Sequence, residues 1–77
     1  MRKTKALHHV GDVLTIATDG PSPGLSYLGG LAVQITELYW EETAWGYAVA
    51  LMPDQDVRRG QERLLGIITL HDPDFVT

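Results

Sequence analysis

The strongest constraint on this chain is an alternation of period two through its middle third. Leu31, Val33 and Ile35 alternate with Ala32, Gln34 and Thr36, and Trp45, Tyr47, Val49 and Leu51 alternate with Gly46, Ala48 and Ala50. Successive side chains of a strand point to opposite faces, so each run builds one apolar face; a helix would need apolar positions every three to four residues. Between the runs the phase slips, because Leu38 and Trp40 fall on even positions. A β-bulge near Thr36-Glu37 accounts for the slip by inserting one extra residue and bending the strand. Glu41-Glu42-Thr43-Ala44 then reads as a hairpin connection. The small residues opposite the aromatics of the third strand predict close approach of another element.

The flanking segments extend this pattern. Gly11 to Thr18 is rich in β-branched residues, with Leu14 and Ile16 on one face and Val13, Thr15 and Ala17 on the other, and reads as a first strand. Asp19-Gly20-Pro21-Ser22-Pro23-Gly24 concentrates turn formers, and its prolines lack the donors a central strand needs, so the chain leaves the sheet there. Pro53 to Arg63 is polar with Val57 as its only aliphatic residue; a short helix started by Pro53 and Asp54 is an alternative, but Gly60 costs about 1 kcal/mol inside a helix and the segment reads as a loop. Leu64-Leu65-Gly66-Ile67-Ile68-Thr69-Leu70 is a nearly continuous apolar run, expected to be a short covered strand. Asp72-Pro73-Asp74 turns the chain, and Phe75-Val76 adds a last short pairing.

Length bounds the result: 77 residues make one domain, and a chain of this size buries only about 60% of the surface its unfolded form exposes. Apolar residues at 44% and charged residues at 21% suit a folded domain. The absence of cysteine excludes disulfides, thiolate metal sites and a cysteine nucleophile. Residues 1–9 are expected to be a flexible basic arm and residues 10–77 a single small β-barrel domain.

The order of these segments carries a resemblance. Gly11, Asp12, Leu14 and Ile16, a long loop, then Gly30, Val33 and Ile35, then Tyr47, Val49 and Leu51 resemble the first three strands of Src-homology-3-like small barrels over about residues 10–52. The resemblance implies an all-β, five-stranded, partly open barrel, and it concerns architecture alone, since function resides in sites grafted onto folds.

Charge separates candidate partners. The net charge is −4, but three of the six basic residues are Arg2, Lys3 and Lys5. Residues 6–77 thus hold Arg58, Arg59 and Arg63 against ten acids, which leaves −7. Such a body repels the phosphate backbone that supplies most non-specific nucleic-acid affinity. A nucleic-acid or transcription-associated role would therefore need Arg2–Lys5 and the Arg58–Arg63 segment on one face. The basic start leads into His8-His9 and not into the roughly 7–15 apolar residues of a secretion signal. The longest apolar stretches are broken by Gln34, Glu37 and Glu41-Glu42 before they reach the roughly 18–20 residues of a bilayer span. A cytoplasmic location is expected.

No catalytic constellation emerges. His8, His9 and His71, with Asp72 and Asp74, lack close ligand spacing, and adjacent histidines on extended chain point apart, so no metal is expected. Glu41-Glu42 and Asp54/Asp56 fall in turns, where carboxylates stay solvated and their pKa values are not driven apart. Ser22 and Ser26 have no base at a fixed spacing, and Gly20 and Gly24 do not open a phosphate-cradling helix. No enzyme activity and no cofactor are expected.

The aromatics offer more. Tyr39, Trp40, Trp45 and Tyr47 surround one hairpin, and two tryptophans of some 150–250 Å² each exceed what so small a core can hold. Trp45 can plug the barrel end or face a partner, and the sequence leaves both open. Outward aromatics are enriched at protein–protein contacts. The expected function is a non-enzymatic interaction module docking on a protein partner, or on a second copy, through Tyr39, Trp40, Trp45 and Tyr47 with the neighbouring Asp19–Gly24 loop. Asp19, Glu41 and Glu42 favour a basic partner and faster encounter. A small structural subunit or inhibitor is a further alternative.

Overall fold

The computed structural model describes residues 3–21 and 25–76. Four strands, β1 (Val13–Thr15), β2 (Ala32–Trp40), β3 (Trp45–Leu51) and β4 (Leu70–His71), form one antiparallel sheet in chain order. The sheet curls through 201° into an open half-barrel. One short helix, α1 (Gln61–Leu65), lies between β3 and β4, and 3₁₀ turns occupy Leu25–Tyr27 and Asp72–Asp74. Among the described residues there are four strands, not the five expected. The place of the fifth is held by a single bridge between Ile16 and Phe75.

The long hairpin follows the sequence pattern. β2 and β3 pair from Val33 with Leu51 to Trp40 with Trp45, and the register shifts between Ile35 and Glu37, where the phase slip demands a bulge. Glu41 N–H bonds to Ala44 O at 2.9 Å to close the turn. Glu42 takes a positive φ of 68° there, a left-handed conformation that tight hairpin turns require. The bulge lets Leu38 and Trp40 rejoin the concave face opposite Tyr47 and Trp45.

The concave face carries the core. Ile16, Val33, Ile35 and Tyr47 from the strands meet Leu25, Leu28 and Leu31 from the long loop, Leu65 from α1, and Leu70 and Phe75 from the C-terminal segment. Dispersion and water exclusion over this one cluster hold most of the fold together.

The expected strand Leu64–Leu70 is corrected: its first two residues end α1 and only Leu70 belongs to β4. Side-chain hydrogen bonds decide the outcome. Gln61 is buried, accepts the Arg58 N–H at 2.6 Å and donates to Tyr27 O at 2.6 Å. A helical turn at Gln61 satisfies both groups, whereas an extended one would leave a buried amide without partners. Gln55 does similar work at the other end of the polar loop. It accepts from Ala32 N and donates to Ala32 O and Met52 O, extending the β2 ladder with a side chain. The segment read as a loop, with a short helix as the alternative, is thus pinned at Gln55 and Gln61, and its helix begins only at Gln61.

Candidate functional site

The expected aromatic residues divide between core and surface. Tyr47 is fully buried and belongs to the core, not to a surface. Its hydroxyl donates to Asp72 Oδ1 at 2.5 Å, and its ring meets Phe75 and His8 edge-on, with centroids at 5.8 and 5.5 Å. Burial first, and then the hydrogen bond to Asp72, push its phenol up to about 12.

Trp40 and Trp45 are both half-buried and meet edge-to-face at 5.4 Å across the non-hydrogen-bonded pair that ends the hairpin. Trp45 also packs against the core, so it partly plugs the barrel end while keeping an outer edge. That edge is in contact with the basic arm. The Trp45 indole donates to Thr4 O at 2.7 Å, and the Lys3 ammonium lies 4.8 Å from the ring centroid, a cation–π arrangement. Arg2, the remaining charge expected in this arm with Lys5, lies outside the described residues.

Tyr39 stands on the opposite, convex face and is 42% exposed. It donates to Glu37 Oε2 at 2.8 Å, and this bond, with lesser help from desolvation and the neighbouring charge, raises its phenol above the ordinary value. Glu41 and Glu42 are exposed at the hairpin turn. Glu41 reaches back across the sheet to His71 Nε2 at 2.6 Å, a contact that neither residue's sequence surroundings signal. Gly46 makes that reach possible: a Cβ there would lie 2.5 Å from Thr69 Cγ2 and 2.6 Å from Glu41 Oε1. The close approach expected of the small-residue face is realised at this glycine.

Asp19 is placed elsewhere. It lines a cleft with Ala17, Pro73, Phe75 and Val76 beside β1, away from the residues of the aromatic hairpin. Of the rest of its loop, Ser22 to Gly24 lie outside the described residues. The basic groups also separate. Lys3 sits at the hairpin end of the β2–β3 ladder, whereas Arg58 stacks 5.1 Å over Tyr27, whose carbonyl Gln61 holds near the opposite end. The Tyr27 hydroxyl donates to Arg59 O.

Sequence reading missed a groove beside Tyr39. It has a volume of about 520 Å³ and runs between the outer edge of β3, at Ala48 and Val49, and the chain from Leu65 to Thr69, with Tyr39 and Glu41 on its rim. A second hollow of about 440 Å³ continues it past Ala50 and Leu51 to Glu62. The apolar run at Leu64–Leu70 was its signal, since a run that does not pair along its length leaves apolar side chains facing an unpaired edge. Ile67, at 76% exposure, is the clearest case.

Among the described residues no group of three histidine, cysteine or carboxylate side chains is placed to hold a metal, and no helix is long and apolar enough to cross a membrane. Comparison with protein-family models, with curated proteins and with solved structures gives no match to this chain.

Proposed function

We propose that this chain is a non-enzymatic interaction module that docks on a protein partner clasping the aromatic end of its long hairpin, with Trp40 and Trp45 as anchors on the concave face, Tyr39 on the convex face, and Glu37, Glu41 and Glu42 as an acidic surround. The observation that carries this reading is Lys3 seated over Trp45 with the indole N–H on the adjacent carbonyl. The chain's own basic segment satisfies this surface in the way a basic partner would. Half-exposed aromatics flanked by carboxylates suit such recognition, since the ring supplies contact area and the acids steer encounter.

A nucleic-acid role draws less support, because Lys3 and Arg58 lie toward opposite ends of the hairpin ladder and residues 6–77 carry ten acids against three arginines. The test is affinity capture from the native host with the intact chain and with Trp40→Ala/Trp45→Ala. Both proteins are checked by thermal melting, and a Tyr39→Ser variant that leaves the core untouched serves as a second probe. Stoichiometric capture that falls at least about tenfold in folded variants supports the reading, one anchor being worth roughly 2 kcal/mol or more. Capture that survives both variants removes it.

A further inference from the structure

The sheet has an unpaired edge. β4 pairs only with Gly46 and Tyr47, so among the described residues no strand lies beside β3 from Ala48 to Leu51. Hydrogen-bond parity fixes which groups face outward. Met52 N–H bonds to Ala32 O, and Ile35 bonds through both its N–H and its C=O to the β1 side, at Asp12 O and Gly11 N. Ile35 opposes Val49 and Val33 opposes Leu51, so these are the non-hydrogen-bonded pairs of the ladder. The N–H and C=O of Val49 and Leu51 therefore point away from β2, into the groove.

Exposed edges are commonly guarded by a charge, a proline, a bulge or a covering helix or loop. Ala48-Val49-Ala50-Leu51 carries none of the first three, and α1 with the chain after it borders the edge across the groove without pairing to it. The wall opposite is apolar chain from Leu65 to Ile68, and the two ends of the groove carry acids, Glu41 at one and Glu62 at the other. Four residues of β3 offer about 13 Å of edge at roughly 3.3 Å per residue. An extended segment laid there would gain main-chain hydrogen bonds from Val49 and Leu51, apolar contact with the opposite wall, and attraction for basic side chains at both ends.

We propose that this groove binds an extended, basic–apolar peptide segment by strand addition to the edge of β3. Charge selects a basic segment over a second copy of this chain, because residues 6–77 carry −7 and the chain's own basic arm is engaged at Trp45 through Lys3 and Thr4. This proposal rests on the reading of the chain as a protein-binding module, and it adds the class of ligand and the mode of recognition.

The probe is an eight-residue synthetic peptide of alternating lysine and valine, capped at both ends, titrated into the intact chain at low salt and followed by amide chemical shifts. Micromolar binding is expected, with the largest shifts and new exchange protection at the Val49 and Leu51 amides. The same peptide N-methylated at the valines or at the lysines removes one set of main-chain donors without touching the protein. One of the two forms should bind about tenfold more weakly, the worth of a lost hydrogen bond or two. A glutamate-for-lysine peptide should show no binding, and Glu62→Lys, at an exposed helix position, should weaken the lysine peptide several-fold.

Equal binding of both N-methylated forms, or binding that leaves Val49 and Leu51 unmoved, overturns strand addition. Protection of those amides that grows with protein concentration in the absence of peptide assigns the edge to a second copy and overturns it as well. If either result comes while host-protein capture still depends on Trp40 and Trp45, the module reading stands and only the groove's role fails.

Discussion

At the β1 edge the C-terminal segment closes the sheet over Thr15 to Ala17. Ala17 N–H bonds to Asp74 O at 2.8 Å, Val76 N–H bonds to Thr15 O at 2.9 Å, and Phe75 faces Ile16 between them. At the β3 edge the chain approaches, pairs for two residues and, among the described residues, leaves Ala48 to Leu51 without a neighbouring strand. The difference lies in what precedes each contact. The first closing segment is delivered by a fixed turn: Asp72-Pro73-Asp74 winds one 3₁₀ turn, and buried Asp74 accepts the His71 N–H at 2.9 Å. The second is delivered by α1, which Gln61 anchors toward Tyr27, so the residues that could continue β4 are turned off the edge. A sheet edge is sealed where the connection is rigid and aimed along it, and stays open where a competing anchor pulls the connection aside.

Breaking the sealed edge should have the largest effect. Phe75 is 3% exposed and touches both Tyr47 and His8 edge-on. Phe75→Ala should cost about 3–5 kcal/mol by transfer and cavity terms, a large share of the 5–15 kcal/mol typical of a whole domain. Denaturant melts should show a chain largely unfolded or close to it. A midpoint near that of the parent would mean that the seam contributes little and that the C-terminal segment does not hold this edge.

The same seam predicts an alkaline transition. In the folded chain burial and the Asp72 hydrogen bond push the Tyr47 phenol up to about 12, from the ordinary 10.0 of an exposed phenol. Below pH 10 both states hold the proton and the term is absent from the slope. Between pH 10 and 12 the unfolded chain ionises first, so stability falls with rising pH, by roughly 2–3 kcal/mol over the window. Tyr47→Phe should abolish that component, leaving a shallower loss in denaturant melts taken at pH 9, 10.5 and 12. Parallel slopes for the two proteins would show that Tyr47 is not the group responsible.

The sealed and open edges were not equally legible from sequence. Period two gave β2 and β3 because their side chains pack against a single core face, and the slip at Leu38 located the bulge because only an extra residue restores phase. The hairpin at Glu41–Ala44 followed from the same arithmetic. At Leu64–Leu70 composition misled, since an apolar run is compatible with a covered strand or with a helix end packed on a core. What decided it was the side chain of Gln61 finding Tyr27 O, a contact across 34 positions that no local pattern encodes. The candidate site was legible only as an aromatic set. That Tyr47 is core, that Glu41 reaches His71, and that Asp19 lies by the C-terminal seam are products of the curl, not of spacing.

Two glycines beside the open edge separate its near end from its far end. At the near end Gly46 admits Thr69 and Glu41, and Gly46→Ala forces a Cβ within 2.6 Å of both. The expected cost is about 1–3 kcal/mol of overpacking, with faster amide exchange at Leu70 and His71 as β4 is pushed off. Unchanged exchange there would show that the two side chains swing aside freely.

At the far end the sign reverses. Gly66 has a φ of −72°, which any residue adopts, and a Cβ there would meet only Arg63 O at 3.4 Å and Glu62 O at 3.8 Å, ordinary contacts. Gly66→Ala should therefore stabilise the chain by about 0.4–1 kcal/mol, chiefly by narrowing the unfolded ensemble. It favours the helical end of α1 over an extended continuation of β4, so the edge from Ala48 to Leu51 should remain open and its amides should exchange as fast as in the parent. Destabilisation, or slowed exchange at Val49 and Leu51, would mean that residues 66–69 spend time zipped onto β3, and that the open edge is a balance between two pairings and not a fixed feature of the fold.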